Sequence, residues 1–160
     1  MMKTKTLFLK ASLLFISLLV LLFSLFIFPK FPHAMQQEYP RITYENWVFI
    51  GGLYLSELCF YFAVFQAFRV LRQVDHNQAF SQETLLAVTR LKQGLFGMGG
   101  SYLTFLPFLY VMADVEDAPG LIFVGLGVIA VPFIAAVFVA ILQKLLENVL
   151  LIKTENELTI

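Results

Sequence analysis

Residues 121–142 read LIFVGLGVIAVPFIAAVFVAIL, a run without one charged side chain. As a helix, such a run covers the roughly 30 Å hydrocarbon core of a bilayer, which takes about 20 residues. Working outward, three more apolar runs of that size occur at about 7–28, 47–71 and 94–113. They are continuous and do not alternate every second residue. Lipid offers no partner to an unpaired backbone group, so helices are expected and barrel strands are not. The sequence predicts an all-α membrane protein: one four-transmembrane-helix bundle over 1–160, spans three and four extending into the cytoplasm, and a cytoplasmic tail at 144–160. Composition agrees. The chain is 59% apolar, 16% aromatic and only 14% charged, with a mean hydropathy of +0.81, whereas soluble domains carry about 25% charge.

The first span follows Lys3, Lys5 and Lys10, as in a signal peptide. Its apolar stretch from Ala11 to Phe28 exceeds the usual 7–15 residue core of such peptides. Pro29-Lys30-Phe31-Pro32-His33-Ala34 is a poor cleavage site, so a retained anchor is expected. With both termini on one side, that side holds Lys3, Lys5, Lys10, Arg69, Arg72, Arg90, Lys92, Lys144 and Lys153, leaving only Lys30 and Arg41 opposite. The positive-inside rule then places both termini in the cytoplasm. Tyr44, Trp47 and Tyr110 fall where an outer aromatic belt is expected.

The outer loop 29–46, with three prolines, reads as a compact irregular cap. On the inner side, Asp75-His76-Asn77-Gln78 reads as a turn and Ser81 as an N-cap with Glu83 in the first helical turn. Leu85, Val88 and Leu91 then recur at helical spacing into span three. Past Lys144, Leu145, Leu146, Val149, Leu150 and Ile152 continue an apolar face before the tail Lys153-Thr154-Glu155-Asn156-Glu157-Leu158-Thr159-Ile160. These overruns either pack on each other at the headgroup boundary or form a docking surface, for which Leu85, Val88, Leu145, Val149, Glu155, Asn156 and Leu158 are the candidates.

Glu57 is the one ionisable residue deep in a span. Ten residues past Trp47, it sits about 15 Å down the helix. A carboxylate there costs roughly 2.5–3.5 kcal/mol on insertion scales, so it must face the bundle or a wet cavity, or stay protonated. The functional reading is a cation or proton site; the structural one is a hydrogen bond to Ser101, Thr104 or a proline-freed carbonyl. Gln66, nearer the inner boundary, carries less weight. Gly97/Ser101 and Ala136/Ala140 are small-xxx-small pairs that permit close helix approach. Pro107 and Pro132 remove the hydrogen bonds to the Leu103 and Val128 carbonyls and mark kinks. Gly94, Gly97, Gly99 and Gly100 lie within an apolar span with no preceding strand, and are not a phosphate cradle.

Several classes are set aside. A formal charge of +0 argues against direct nucleic-acid binding. Cys59 is the only cysteine, which excludes an intrachain disulfide or a cysteine zinc cluster. His33 and His76 fall on opposite sides of the membrane, and Asp114, Glu116 and Asp117 are too few for a calcium cage. There is no HExxH, no GxSxG, no pair of carboxylates on one span and no Cys–His couple on the same face. No enzyme, cofactor, metal or catalytic residue is expected. Oligomerisation is left open.

The chain resembles a family of small bacterial membrane proteins known as domain of unknown function 2975. The residues that carry the likeness are Asp75-His76-Asn77-Gln78-Ala79-Phe80-Ser81, Phe105-Leu106-Pro107, Glu116-Asp117-Ala118-Pro119-Gly120 and the tail Lys153–Ile160, over roughly the second half of the chain. The resemblance implies a bacterial cytoplasmic-membrane protein. Because members are often encoded beside a small helix-turn-helix regulator, it also implies a regulatory partner for such a protein. It brings no established site residues. The competing expectation, resting on Glu57, Pro107 and Pro132, is a small transporter, pore or immunity-type protein.

Overall fold

In the computed structural model the backbone is described over residues 2–158 and side chains over 6–156. Six α-helices form: α1 (Met2–Phe26), α2 (Phe31–Glu38), α3 (Tyr44–Asp75), α4 (Gln82–Tyr102), α5 (Leu106–Val115) and α6 (Gly120–Leu158). A 3₁₀ turn at Leu103–Phe105 joins α4 to α5, and no strand occurs among the described residues. Four units, α1, α3, α4–α5 and α6, are long and apolar enough to cross a bilayer. This is an all-helical, multi-pass membrane protein. At 39 residues, α6 is about 58 Å long, nearly twice the hydrocarbon thickness.

Each span packs chiefly on its chain neighbour: α1 on α3, α3 on α4, and α4 and α5 on α6. The pairs run antiparallel. Lys10 meets Asp75 at the end carrying both termini, while Phe28 meets Tyr54 toward the other. Glycine sets the closeness of the α3–α4–α6 seams. A Cβ on Gly94 would stand 3.2 Å from that of Ala63, and one on Gly97 would stand 3.1 Å from Cys59 Sγ. One on Gly52 would fall 1.8 Å from Thr104 Oγ1, and one on Gly99 would fall 2.8 Å from the Phe133 ring. Without a hydrophobic drive inside lipid, such close van der Waals approach is what holds helices together.

The connections follow local chemistry. Ser81 caps α4, its Oγ accepting from the Thr84 N–H at 3.2 Å, as the sequence predicts. Helices α3 and α5 each end in a left-handed residue, Asn77 (φ 58°) and Asp117 (φ 49°). Asn and Asp are the non-glycine types that best tolerate this conformation. The Gln78 and Ala118 N–H groups then reach back to Gln73 and Ala113 carbonyls at 2.9 Å; with the Asn77 N–H on the Val74 carbonyl, α3 closes as a Schellman motif. Pro107 cannot donate to the Leu103 carbonyl; the Leu106 N–H takes that carbonyl instead, which tightens the chain into the 3₁₀ turn. Pro132 stays within an unbroken α6.

The outer loop corrects the expectation of an irregular cap. Pro32 occupies the first turn of α2, where its fixed φ and missing N–H favour a helix start. The Asn46 amide donates to the Pro32 carbonyl at 3.3 Å, and Asn46 and Ile42 are both fully buried. The cap is sealed by rings: Phe49 lies 5.3 Å from Phe31, 4.6 Å from Phe105 and 4.5 Å from Phe108. At the opposite end, Val88, Leu146 and Leu150 form a small aliphatic core flanked by Val70, Leu85 and Val139.

Candidate functional site at Glu57

Helix α1 contains no glycine, and polar groups link it to α3. The Ser24 hydroxyl donates to Glu57 Oε2 at 2.8 Å. The Tyr61 hydroxyl donates to the Ser17 carbonyl at 3.1 Å. Nearer the termini, Thr6 and Lys10 both donate to the Asp75 carboxylate. Between these bridges lies a partly open cavity of about 430 Å³. Its walls include Val20 and Phe23 of α1, Glu57 and Phe60 of α3, and Met98 and Tyr102 of α4.

This corrects the expected surroundings of Glu57. Ser101 and Thr104 are not its partners: the Ser101 hydroxyl donates to the Gly97 carbonyl at 2.8 Å and Thr104 to the Ser101 carbonyl at 2.7 Å. Both serve the α4 backbone next to the α3 seam. Neither the Lys10–Asp75 nor the Lys144–Glu147 ion pair involves Glu57. No proline-freed carbonyl reaches it either; the Leu103 carbonyl is taken, as above.

The other sequence-predicted residues are dispersed. Gly97 lines the α3–α4 seam and Ser101 is buried beside it. Ala136 is fully buried, Ala140 half-buried, Pro132 buried and Pro107 exposed. Neither proline lines the cavity. Of the docking candidates, Val88 is corrected: it is buried against Leu146 and Leu150 and offers no surface, and Leu85 packs on the same cluster. Leu145, Val149, Glu155 and Asn156 are exposed; the side chain of Leu158 lies outside the described residues. A groove of about 300 Å³ between Gln82 and Leu85 of α4 and Glu147, Leu150, Leu151 and Thr154 of α6 runs along this end.

Sequence reasoning passed over Ser24 and gave Gln66 little weight. Ser24 looks like one more residue of a generic apolar run, and only the packing of α1 reveals it as the donor to Glu57. Gln66 is 2% exposed and its Oε1 has no partner. At the end opposite the termini, Tyr39 donates to Glu116, whose acceptance of that bond raises the phenol above its ordinary value of 10.0, with desolvation adding to it. Among the described residues, no three His, Cys, Asp or Glu side chains are grouped to hold a metal ion.

A family model described as "Protein of unknown function (DUF2975)" matches residues 31–160, more of the chain than the quoted motifs cover and beginning just after α1. An "Uncharacterized membrane protein YoaS" of Bacillus subtilis (strain 168) is 37% identical over 160 residues, covering 100% of both chains. No solved structure matches significantly.

Proposed function

The chain belongs to the DUF2975 family of proteins of unknown function, and from that membership we propose that it is a non-enzymatic regulatory partner in the bacterial cytoplasmic membrane. It engages a cytoplasmic helix-turn-helix regulator through the end that carries its termini. One observation carries the reading. Past Lys144, the exposed side chains Leu145, Val149 and Ile152 continue an apolar stripe along α6, while the opposite stripe of that segment is packed on α4. Such i, i+4, i+7 spacing on a helix is a usual protein-docking pattern. The excess of Lys and Arg at this end supports its cytoplasmic orientation. Co-purification tests the proposal. The neighbouring regulator is expected to be recovered with the full chain and lost with Leu145→Asp/Val149→Asp. Recovery unchanged by that pair, or none with the full chain, overturns it. Loss on removing residues 153–160 adds the tail to the surface; equal recovery removes it.

A second reading, a small transporter or self-protection protein, is favoured by the cavity at Glu57. Its test is cation flux into vesicles containing the protein, compared with Glu57→Gln. Equal flux ends that reading.

A further inference from the structure

The Glu57 cavity carries an inference about ligand class that rests on the site used by the second reading, without requiring any flux. Its volume of about 430 Å³ falls in the range of small-molecule pockets, about 300–1,000 Å³. All of its lining residues but Phe28 belong to membrane-spanning segments, so its open side is taken to meet hydrocarbon. Glu57 is the only carboxylate that lines it. Oε2 takes the Ser24 hydroxyl; among the described residues no protein donor or cation serves Oε1. A carboxylate within lipid is costly without a counter-charge, and this one has room beside it in place of a Lys or Arg.

We infer that the cavity binds a lipophilic monocation, an ammonium or phosphonium centre on an apolar body, with Glu57 as its counter-ion. The walls select the body. Phe23, Phe60 and Tyr102 present rings, whose faces attract cations and whose area buries an aromatic or alkyl ligand. A hydrated inorganic cation finds too few oxygens here to replace its water shell. An anion meets only the negative carboxylate. A neutral body of the same shape gains burial without the charge pair, so charge is the discriminating property.

The test uses the purified full chain in phosphatidylcholine nanodiscs, with methyltriphenylphosphonium as probe and empty discs as the reference. Calorimetry is expected to show saturable binding of one phosphonium per chain, and weaker binding of neutral triphenylphosphine oxide. Glu57→Gln keeps the shape and an acceptor for Ser24, and is expected to weaken phosphonium binding about tenfold. Val20→Phe keeps the carboxylate and fills the space, and is expected to weaken both probes, giving a second test should Glu57→Gln fail to fold. Uptake equal to that of empty discs, equal affinity in Glu57→Gln, or no preference for the cation over the oxide overturns the inference. Phosphonium binding without Glu57-dependent flux upholds it and ends the transport reading. Flux of an inorganic cation without phosphonium binding does the reverse.

Discussion

The seam between α1 and α3 and the seams joining α3, α4 and α6 solve the same problem by opposite means. In the latter, glycines bring backbones together and the contact is continuous. In the former, polar contacts at Ser24–Glu57, Tyr61–Ser17 and Lys10–Asp75 join the helices beside the cavity. Burial reflects the contrast: 6% of the α1 apolar window is buried, against 22% in each of the other three spans. The family match starts at residue 31 and so contains the tight seams without α1. In lipid, apolar area alone does not bind helix to helix, so the hydrogen bonds that α1 makes to α3 weigh heavily in holding it.

The contrast breaks most readily at glycine. Gly52→Ala is expected to lower stability in detergent by about 1–3 kcal/mol, the usual cost of overpacking, because the new methyl collides with Thr104 and approaches the Ser101 carbonyl. Adding Thr104→Ala is expected to restore much of it; a single variant as stable as the parent would show that this seam has slack. Ser24→Ala is expected to cost about 0.6 kcal/mol, the mean for hydrogen bonds between membrane helices. Its effect is expected to be confined to α1, read as faster hydrogen exchange there than in α4. Equal changes in both helices would join α1 to the tightly packed unit. Val20→Phe places added bulk in the open seam and is expected to shift stability by under about 0.5 kcal/mol, the converse of Gly52→Ala. The smallest effect lies in the outer cap, away from either seam. The Tyr39 phenol, raised by its bond to Glu116, contributes stability that is fully present below the unfolded value near 10 and lost as pH rises through the raised folded value. Ultraviolet titration is expected to find Tyr39 ionising late, so that Tyr39→Phe lowers the number of late-ionising tyrosines by one.

Much of this fold was legible because lipid imposes simple rules. Long, sparsely charged apolar length announces each span, and Ser81 and the Asp75–Gln78 turn carry their own local chemistry. The helix at Phe31–Glu38 was not legible, since Pro32 reads equally as a loop residue until its position in a first turn is seen. Leu85 and Val88 have the spacing of a docking face and of an internal seam alike. Spacing says which residues share a side, not what stands opposite. The same limit hid Ser24 as the partner of Glu57, since hydrogen-bonding capacity gives no hint of which neighbour will come within 3 Å.

By itself, then, the amino-acid order determined the solvent, the number of crossings and the presence of a carboxylate near mid-bilayer, because each depends on one segment's own free energy in lipid. Which helix faces Glu57, how closely each pair approaches and where space is left open were decided by tertiary structure alone. Those properties belong to pairs of surfaces, and a glycine or a serine acquires its meaning only from the helix packed against it.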